Sequence, residues 1–285
     1  MEVSLRRMSF PLDAKQPQWD VAARTDKGRV RPINEDSYRI YREESLFVLS
    51  DGMGGAAKGE VASAMAVESV VASLRENIVA ESPEESAANR EFSEETNSLV
   101  RAIKLANRKI HEQGMRDPAC RGMGATIVAA RITGSRLSLV HVGDSRAYLL
   151  RSDRLEQLTA DHSLVAEQVR RGLMNREQAA ASELQSVLTR ALGTEESVEV
   201  DADEIELFPR DALLLCSDGL TRMVPEDEIA GILAQSTAVR VAAERLINRA
   251  NEYGGQDNVT VVVIRLTKSK SWFAKFIPWC SANLV

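Results

Sequence analysis

Three aspartates of the chain stand beside apolar segments whose composition predicts buried β-strands. The segments and their aspartates are 46–49 with Asp51, 212–216 with Asp218, and 258–266 with Asp257. A single aspartate at a strand end is common, because the side chain makes turns and helix caps. Three of them, each followed by glycine or asparagine, favour strand ends that converge on one site.

Carboxylates that converge repel one another, so each is driven toward protonation unless a cation compensates. Oxygen ligands without a histidine or cysteine group favour Mg²⁺ or Mn²⁺ over zinc. Gly52 follows Asp51 directly. Because glycine lacks a Cβ, its backbone carbonyl can approach a cation closely. The pattern therefore predicts a magnesium or manganese site.

The elements that position these aspartates can be read from periodicity. Apolar residues recur with the helical period between 67 and 78 and between 99 and 110, which predicts two helices. Strand-like segments separated by glycine turns follow between 125 and 151. Segment 163–185 is polar and helical, with Gly172 as a break. This order is not a regular alternation of strand and helix, so it predicts an α+β fold with antiparallel sheets.

Composition limits the classes of function. The chain has 285 residues, 44% of them hydrophobic, and a formal net charge of −6 without a basic stripe, which argues against nucleic-acid binding. Cys120, Cys216 and Cys280 are too few and too far apart for a disulfide framework or a zinc site, and they fit a reducing compartment. We find neither a signal peptide nor an apolar run long enough to span a bilayer, so we expect a cytoplasmic protein.

Seven short motifs occur in an order that resembles the type 2C metal-dependent protein phosphatases, in particular the bacterial members. They are Arg31–Asp36, Asp51–Gly55, Gly122–Thr126, Gly143–Arg146, Leu158–Ser163, Ser217–Leu220 and Gln256–Thr260. The resemblance implies a four-layer α-β-β-α sandwich with two central antiparallel sheets and a flap insertion. It divides the chain into a flexible extension at 1–17, a catalytic domain at 18–267 with its flap at about 163–187, and an apolar tail at 268–285.

The resemblance also implies roles for individual residues around two divalent cations, Mn²⁺ or Mg²⁺. Asp51 would be the bridging ligand, the Gly52 carbonyl would bind one cation, and Asp218 and Asp257 would bind the other. Asp36 and Glu35 would lie beside them and act mainly through bound water. Asp144 would form a weaker third site with Asp218, and Arg31 would bind the substrate phosphate. The implied reaction is hydrolysis of phosphoserine and phosphothreonine by a water or hydroxide that bridges the two cations.

The acid that protonates the leaving group is left open by the sequence. Many eukaryotic members of the family have a histidine where Met53 stands, and methionine cannot donate a proton. Bound water is one alternative, and His162 is another. For His162 a structural role at the start of a helix competes with the chemical one, and His141 alternates with leucines as a core residue does.

Two other functions compete with the phosphatase hypothesis. A catalytically inactive relative could bind phosphoprotein, but it would have no chemical reason to keep Arg31 and the aspartates together. A two-metal hydrolase acting on nucleotides or nucleic acid is disfavoured by the acidic chain and by the lack of aromatic residues for base stacking.

The expected partners are phosphorylated proteins, among them a cognate Ser/Thr kinase and its targets, and the expected oligomeric state is a monomer. The flap is expected to contact protein substrates and to tune their choice. Segment 272–284 of the tail has apolar residues on one helical side next to three lysines. It could pack on the catalytic domain, or dock to a partner or a membrane surface.

Overall fold

The structure is a computed structural model that describes residues 19–54, 58–76 and 91–267. The predicted N-terminal extension at 1–17 and the predicted tail at 268–285 lie outside the described residues, as do Gly55 and Cys280. Among the described residues, no helix is both long enough and apolar enough to cross a membrane.

The described strands and helices alternate irregularly along the chain. The strands are β1 Trp19–Asp26, β2 Asp36–Tyr41, β3 Leu46–Met53, β4 Gly124–Ala125, β5 Ile127–Thr133, β6 Arg136–Val142, β7 Arg146–Arg151, β8 Arg154–Gln157, β9 Asp201–Glu206, β10 Ala212–Cys216 and β11 Val259–Leu266. The α-helices are α1 Gly59–Arg75, α2 Glu94–Arg116, α3 Leu164–Arg170, α4 Arg176–Ala180, α5 Asp218–Thr221, α6 Glu226–Gln235 and α7 Val239–Glu252.

The strands form two antiparallel sheets. Sheet I has five strands in the order β1-β11-β10-β7-β8. Sheet II has the order β2-β3-β5-β6-β9, and β4 pairs with β3 beside it. Since β6 lies in sheet II and β7 in sheet I, the chain passes from one sheet to the other at Gly143–Ser145.

Both faces of each sheet are covered, which explains the nearly continuous apolar strands. Along β3, Leu46 and Val48 pack among the residues of α1 and α2, whereas Phe47 and Leu49 face the core between the sheets. The same alternation runs along β10 and β11, whose outer residues pack on α6 and α7. Burying each such side chain stabilises the fold by about 1.5–3 kcal/mol. The predicted α-β-β-α sandwich is confirmed.

The end of β3 differs from its prediction. The sequence predicts that this strand stops before Asp51, but the strand continues to Met53. Asp51 pairs with Asp36 of β2, and Gly52 pairs with Ala125 of β4, so the ladder extends through the acidic residue. Two further elements, β8 and the short helix α5, are also absent from the prediction because neither is long enough to show a period.

The predicted flap region is helical with a glycine break, as its sequence indicates. The Ser163 side chain caps α3, and Asn175 caps α4 with a capping box. Gly172, between the two helices, has a φ of +71°. The base of the segment is closed by a hydrogen bond of 2.9 Å from the Leu164 N–H to the Val187 carbonyl. That this segment works as a flap stays a prediction.

Candidate active site

The predicted site residues meet where the ends of the two sheets come together. Asp36 and Asp51 are paired neighbours in sheet II. Asp218 begins α5 directly after β10, and Asp257 precedes β11, both in sheet I. We call Asp36, Asp51, Asp218 and Asp257 the aspartate site. The three strand ends predicted to converge therefore do converge.

Two hydrogen bonds join the sheets at the aspartate site. The Ser217 hydroxyl donates to Asp36 Oδ2 at 2.8 Å. On the other side, the Glu35 N–H donates to Asn258 Oδ1 at 2.8 Å. The Asn258 amide also donates to two backbone carbonyls of the loop between β1 and β2, at Lys27 and Ile33. These bonds hold the loop that carries Arg31 and Glu35 against sheet I.

The backbone around Asp51 is fixed by the next strand. The Asp51 N–H donates to Thr126 Oγ1 at 3.0 Å, and the Thr126 N–H donates to the Asp51 carbonyl at 2.8 Å. The Thr126 hydroxyl also contacts the Ser145 hydroxyl at 2.6 Å. These bonds therefore fix the backbone from which the Asp51 carboxylate extends.

Gly52 is required by close packing as well as by position. A Cβ on this residue would lie 2.1 Å from the Gly59 carbonyl oxygen and 2.7 Å from the Glu35 carbonyl oxygen. The Gly52 N–H donates to that Glu35 carbonyl at 3.1 Å. The first turn of α1 therefore rests on the backbone of the aspartate site, and a larger residue at 52 cannot be accommodated without moving it.

Burial makes the charged forms of these carboxyls costly. Desolvation raises the pKa of Asp51 well above its ordinary value, and the charges of the neighbouring aspartates add to the shift. Desolvation also raises the pKa of Asp36 to about 7, against the hydrogen bonds from Thr260 and Ser217. The pKa of Asp218 is raised by burial, although Arg222 opposes the rise. The site needs positive charge to keep its carboxylates ionised at neutral pH.

The unpaired oxygen atoms show where that charge is missing. Among the described residues, the buried side-chain atoms without a hydrogen-bond partner include three carboxylate oxygens at this site: Glu35 Oε1, Asp36 Oδ1 and Asp218 Oδ1. Buried polar atoms in folded proteins are nearly always paired with a hydrogen-bonding partner. Several unpaired acceptor oxygens in one place therefore indicate that a cation binds there. The residues present therefore fit hard divalent cations held by oxygen.

Arg31 lies on the open side of the aspartate site. Its Nη2 donates to Asp257 Oδ2 at 2.7 Å, and 47% of its side chain remains exposed. An arginine fork with donors directed to solvent can bind two oxygens of a phosphate at once. This position is compatible with the predicted role of Arg31 on the substrate phosphate, which stays a prediction.

A second arginine lies on the inner side of the site. Arg222 Nη2 is 2.5 Å from Asp218 Oδ2 and 3.5 Å from Asp144 Oδ2. Asp144 is buried, and desolvation raises its pKa to about 8 even though Arg222 lowers it. The prediction that Asp144 and Asp218 hold a third cation therefore competes with an ion pair inside the protein.

A separate group of ligand-type atoms lies behind Gly143. His141, His162 and Asp201 place one ligand atom each within 4.8 Å of one another, and we call them the histidine cluster. The two rings stack with centroids 4.8 Å apart. Strand pairing brings the cluster together, because His141 of β6 stands opposite Asp201 of β9.

Three of the four ring nitrogens of this cluster have partners in the protein. The Gly143 N–H donates to His162 Nδ1 at 3.1 Å, which places the ring proton on Nε2, 3.2 Å from Asp201 Oδ2. His141 Nε2 lies 3.0 Å from the Ala160 carbonyl, and Arg190 donates to Asp201 at 2.6 Å. A cation here would have to displace a ring proton and share the carboxylate with a guanidinium. The geometry favours an internal hydrogen-bond network.

This network also bears on the missing proton donor. The structure confirms His141 as a core residue, and the His162 side chain is buried with both nitrogens engaged. His162 is therefore not placed as a solvent-accessible acid. Met53 lies at the end of β3, opposite Gly124 of β4, and carries no proton.

Several residues that complete the site are absent from the predicted set. Ser217 and Asn258 lie inside the quoted motifs, and their position next to Asp218 and Asp257 was a usable signal. Arg222 lies four residues after Asp218, the spacing that places two side chains on one helical side. That signal was weak, because α5 spans only Asp218–Thr221.

Comparison with known proteins agrees with this geometry. Residues 29–259 match the family model described as protein phosphatase 2C. The chain is 39% identical over 244 residues to the serine/threonine phosphatase stp of Listeria innocua, covering 85% of this chain and 93% of that protein. It is 32% identical over 252 residues to protein phosphatase PhpP of Streptococcus pneumoniae, covering 87% of this chain and 98% of that protein.

A solved structure gives the same relationship in three dimensions. The catalytic domain of the serine threonine protein phosphatase PstP, in complex with two manganese ions, superposes with a TM-score of 0.74 at 37% sequence identity. The match covers 88% of this chain and 99% of that one. Similarity at this level extends over nearly all of the described residues.

Proposed function

The chain belongs to the protein phosphatase 2C family of serine/threonine protein phosphatases, and we propose that it hydrolyses phosphoserine and phosphothreonine in proteins at the aspartate site. The observation that carries this proposal is the set of buried, unpaired carboxylate oxygens at the junction of the two sheets. An inactive relative would gain nothing from keeping such a costly group of charges.

The residues divide into cation ligands and their supports. We propose that the site would hold two divalent cations, Mn²⁺ or Mg²⁺. Asp51 would be a ligand of both, the Gly52 carbonyl of one, and Asp218 and Asp257 of the other. Asp36, held by Ser217, faces the same space. When bound, the pair of cations acidifies water to supply the nucleophile and offsets charge on the phosphoryl oxygens. The acidic residues themselves fix where those cations and the phosphate can lie.

Arg31 and its neighbours form the entrance for the substrate. The guanidinium is oriented by Asp257, which leaves its other donors for phosphate oxygens. Val30 and Ile33 on either side of it are largely exposed apolar residues, as are Leu173 and Leu184 in the flap segment. We propose that these apolar side chains contact the protein substrate. Replacing the flap segment should change relative rates on several phosphoproteins, and unchanged rates would remove this role.

The reaction is tested with a phosphothreonine peptide in Mn²⁺, after EDTA, and with the Asp218→Asn variant. We expect turnover only for the wild type in Mn²⁺, because EDTA removes the cations and Asp218→Asn removes one of their ligands. Asp203→Asn is a matched control, since Asp203 is exposed on edge strand β9. Turnover that persists in EDTA, or full activity of Asp218→Asn, would overturn the mechanism.

The physiological substrate is proposed to be a cognate Ser/Thr kinase and its targets. The support is the similarity to bacterial serine/threonine phosphatases. An autophosphorylated Ser/Thr kinase from the same genome should lose its phosphate when the enzyme and Mn²⁺ are added. We also propose that the enzyme is cytoplasmic and monomeric. The docking of segment 272–284 to a partner or a membrane surface stays a prediction.

A further inference from the structure

The carboxylate of Asp218 is used by two different cationic partners. Its Oδ1 is buried and has no hydrogen-bond partner. Its Oδ2 is 2.5 Å from Arg222 Nη2. The second residue predicted for a third cation, Asp144, directs its own Oδ2 to the same guanidinium nitrogen at 3.5 Å. The unpaired oxygens and the arginine-bound oxygens are therefore different atoms.

The backbone of α5 holds Arg222 in this place. The Arg222 N–H donates to the Asp218 carbonyl at 2.9 Å, so the two side chains leave the helix on the same side. The side chain is 25% exposed, and those of Asp218 and Asp144 are 13% and 10% exposed. A guanidinium stays charged at every physiological pH. Moving it away would leave two buried carboxylates without this cationic partner.

We propose that Arg222 takes the place of a third metal ion between Asp144 and Asp218, so that this chain binds two divalent cations and has no third site. The inference rests on the proposed two-cation site. The guanidinium occupies the space between the two carboxylates and repels a divalent ion that approaches it.

Metal stoichiometry tests this inference without relying on turnover. Full-length protein is titrated with Mn²⁺, and the free ion is followed by electron paramagnetic resonance. We expect two equivalents for the wild type and for Arg222→Lys, which keeps a positive charge. Arg222→Ser should bind a third equivalent, because two carboxylates are left without a cation. Arg240→Ser is the matched control, since Arg240 pairs with Glu244 at the same i,i+4 spacing on the surface of α7.

Each outcome decides the matter. Three equivalents in the wild type, or two in a folded Arg222→Ser variant, would overturn the inference while leaving the phosphatase function intact. A wild type that binds no Mn²⁺ would overturn the two-cation site itself. If Arg222→Ser does not fold, crystals of the wild type in excess Mn²⁺ give the answer. Two anomalous peaks with the guanidinium between Asp144 and Asp218 support it, and a third peak there contradicts it.

Discussion

The aspartate site and the histidine cluster lie near each other at the Gly143–Asp144 turn. They differ in whether their buried polar atoms have hydrogen-bond partners. In the aspartate site and at Glu35 beside it, three carboxylate oxygens have no hydrogen-bond partner among the described residues. In the histidine cluster, three of the four ring nitrogens contact backbone groups or Asp201. Burial lowers the pKa of both histidines, so they remain neutral. Unsatisfied lone pairs, rather than the type of ligand residue, distinguish a cation site from a structural network.

The largest expected difference between the two regions is catalytic. Asp51→Asn should lower kcat/KM for a phosphothreonine peptide by about a thousandfold or more, because several kcal/mol of charge stabilisation is lost with the cations. Asp201→Asn should retain activity within about tenfold, since it removes a partner of Arg190 and His162 alone. Steady-state rates at saturating Mn²⁺ measure both. Equal losses in the two variants would show that both regions take part in the reaction.

Arg31 beside the aspartate site and Arg190 beside the histidine cluster each pair with an aspartate and provide a second comparison. Arg31→Ala should lower kcat/KM by about 10–100-fold, the effect of losing a charge-assisted hydrogen bond to phosphate. The stability of this variant should change little, because Arg31 is half exposed. Arg190→Ala should lower the stability and change kcat/KM little, since Arg190 binds both Asp201 and Glu199. Urea midpoints beside kinetic constants separate the two effects, and a stability loss confined to Arg31→Ala would contradict this division.

Removing a ring from the histidine cluster tests whether the network is structural. His162→Ala should destabilise the protein by about 1–3 kcal/mol, because the Gly143 N–H loses its acceptor and Asp201 loses one of its partners. Mn²⁺ affinity should stay unchanged. His111→Ala is the control, since that ring contacts one carbonyl, that of Gly193, at the surface of α2. Urea unfolding in EDTA gives the free energies.

The His162→Ala substitution can also test whether the histidine cluster binds a metal ion. Zinc could be added to Asp51→Asn, in which the aspartate site is already damaged. A rise in the unfolding temperature that disappears when His162→Ala is introduced as well would make the histidine cluster a metal site.

The smallest expected effect is on the pH dependence of stability. The pKa of Asp36 is about 7 in the folded protein, against an ordinary value of 3.8. Between these values the folded state holds a proton that the unfolded state has lost, so the contribution of Asp36 to stability is lost as pH rises through this window. Without metal, Asp36→Asn should gain a few degrees in unfolding temperature over the wild type between pH 5 and pH 8. A constant difference in EDTA would contradict the shift, and Mn²⁺ should remove the advantage.

Much of the fold could be predicted from short apolar runs. Strands such as β7 and β10 have the predicted limits because their residues are buried on both faces and turns bound them. The limit of β3 could not be predicted in this way. Asp51 and Gly52 resemble the end of a strand, and only the pairing with β2 and β4 keeps them in the ladder.

The candidate site shows the same division between local and distant information. Aspartates beside strands are visible in the sequence, so most proposed cation ligands could be predicted. The partner of each carboxylate oxygen depends on segments far apart in the chain, such as Asp36 with Ser217 or Asp144 with Arg222. The histidine cluster, likewise, arises from the pairing of β6 with β9. Residue types suggested where cations could bind, and three-dimensional contacts decide where they are needed.

The position of the aspartate site at the junction of the sheets has a consequence for the lifetime of the protein. Asp36 and Asp51 lie in strands of sheet II, whereas Asp218 and Asp257 lie next to the ends of β10 and β11 of sheet I. Cations bound by residues of both groups would link the two sheets, and the sheets could separate only after the cations had been released. Metal supply would then govern how slowly the chain opens to proteases as well as how fast it works. A cell short of manganese would lose this enzyme by degradation as well as by inactivity.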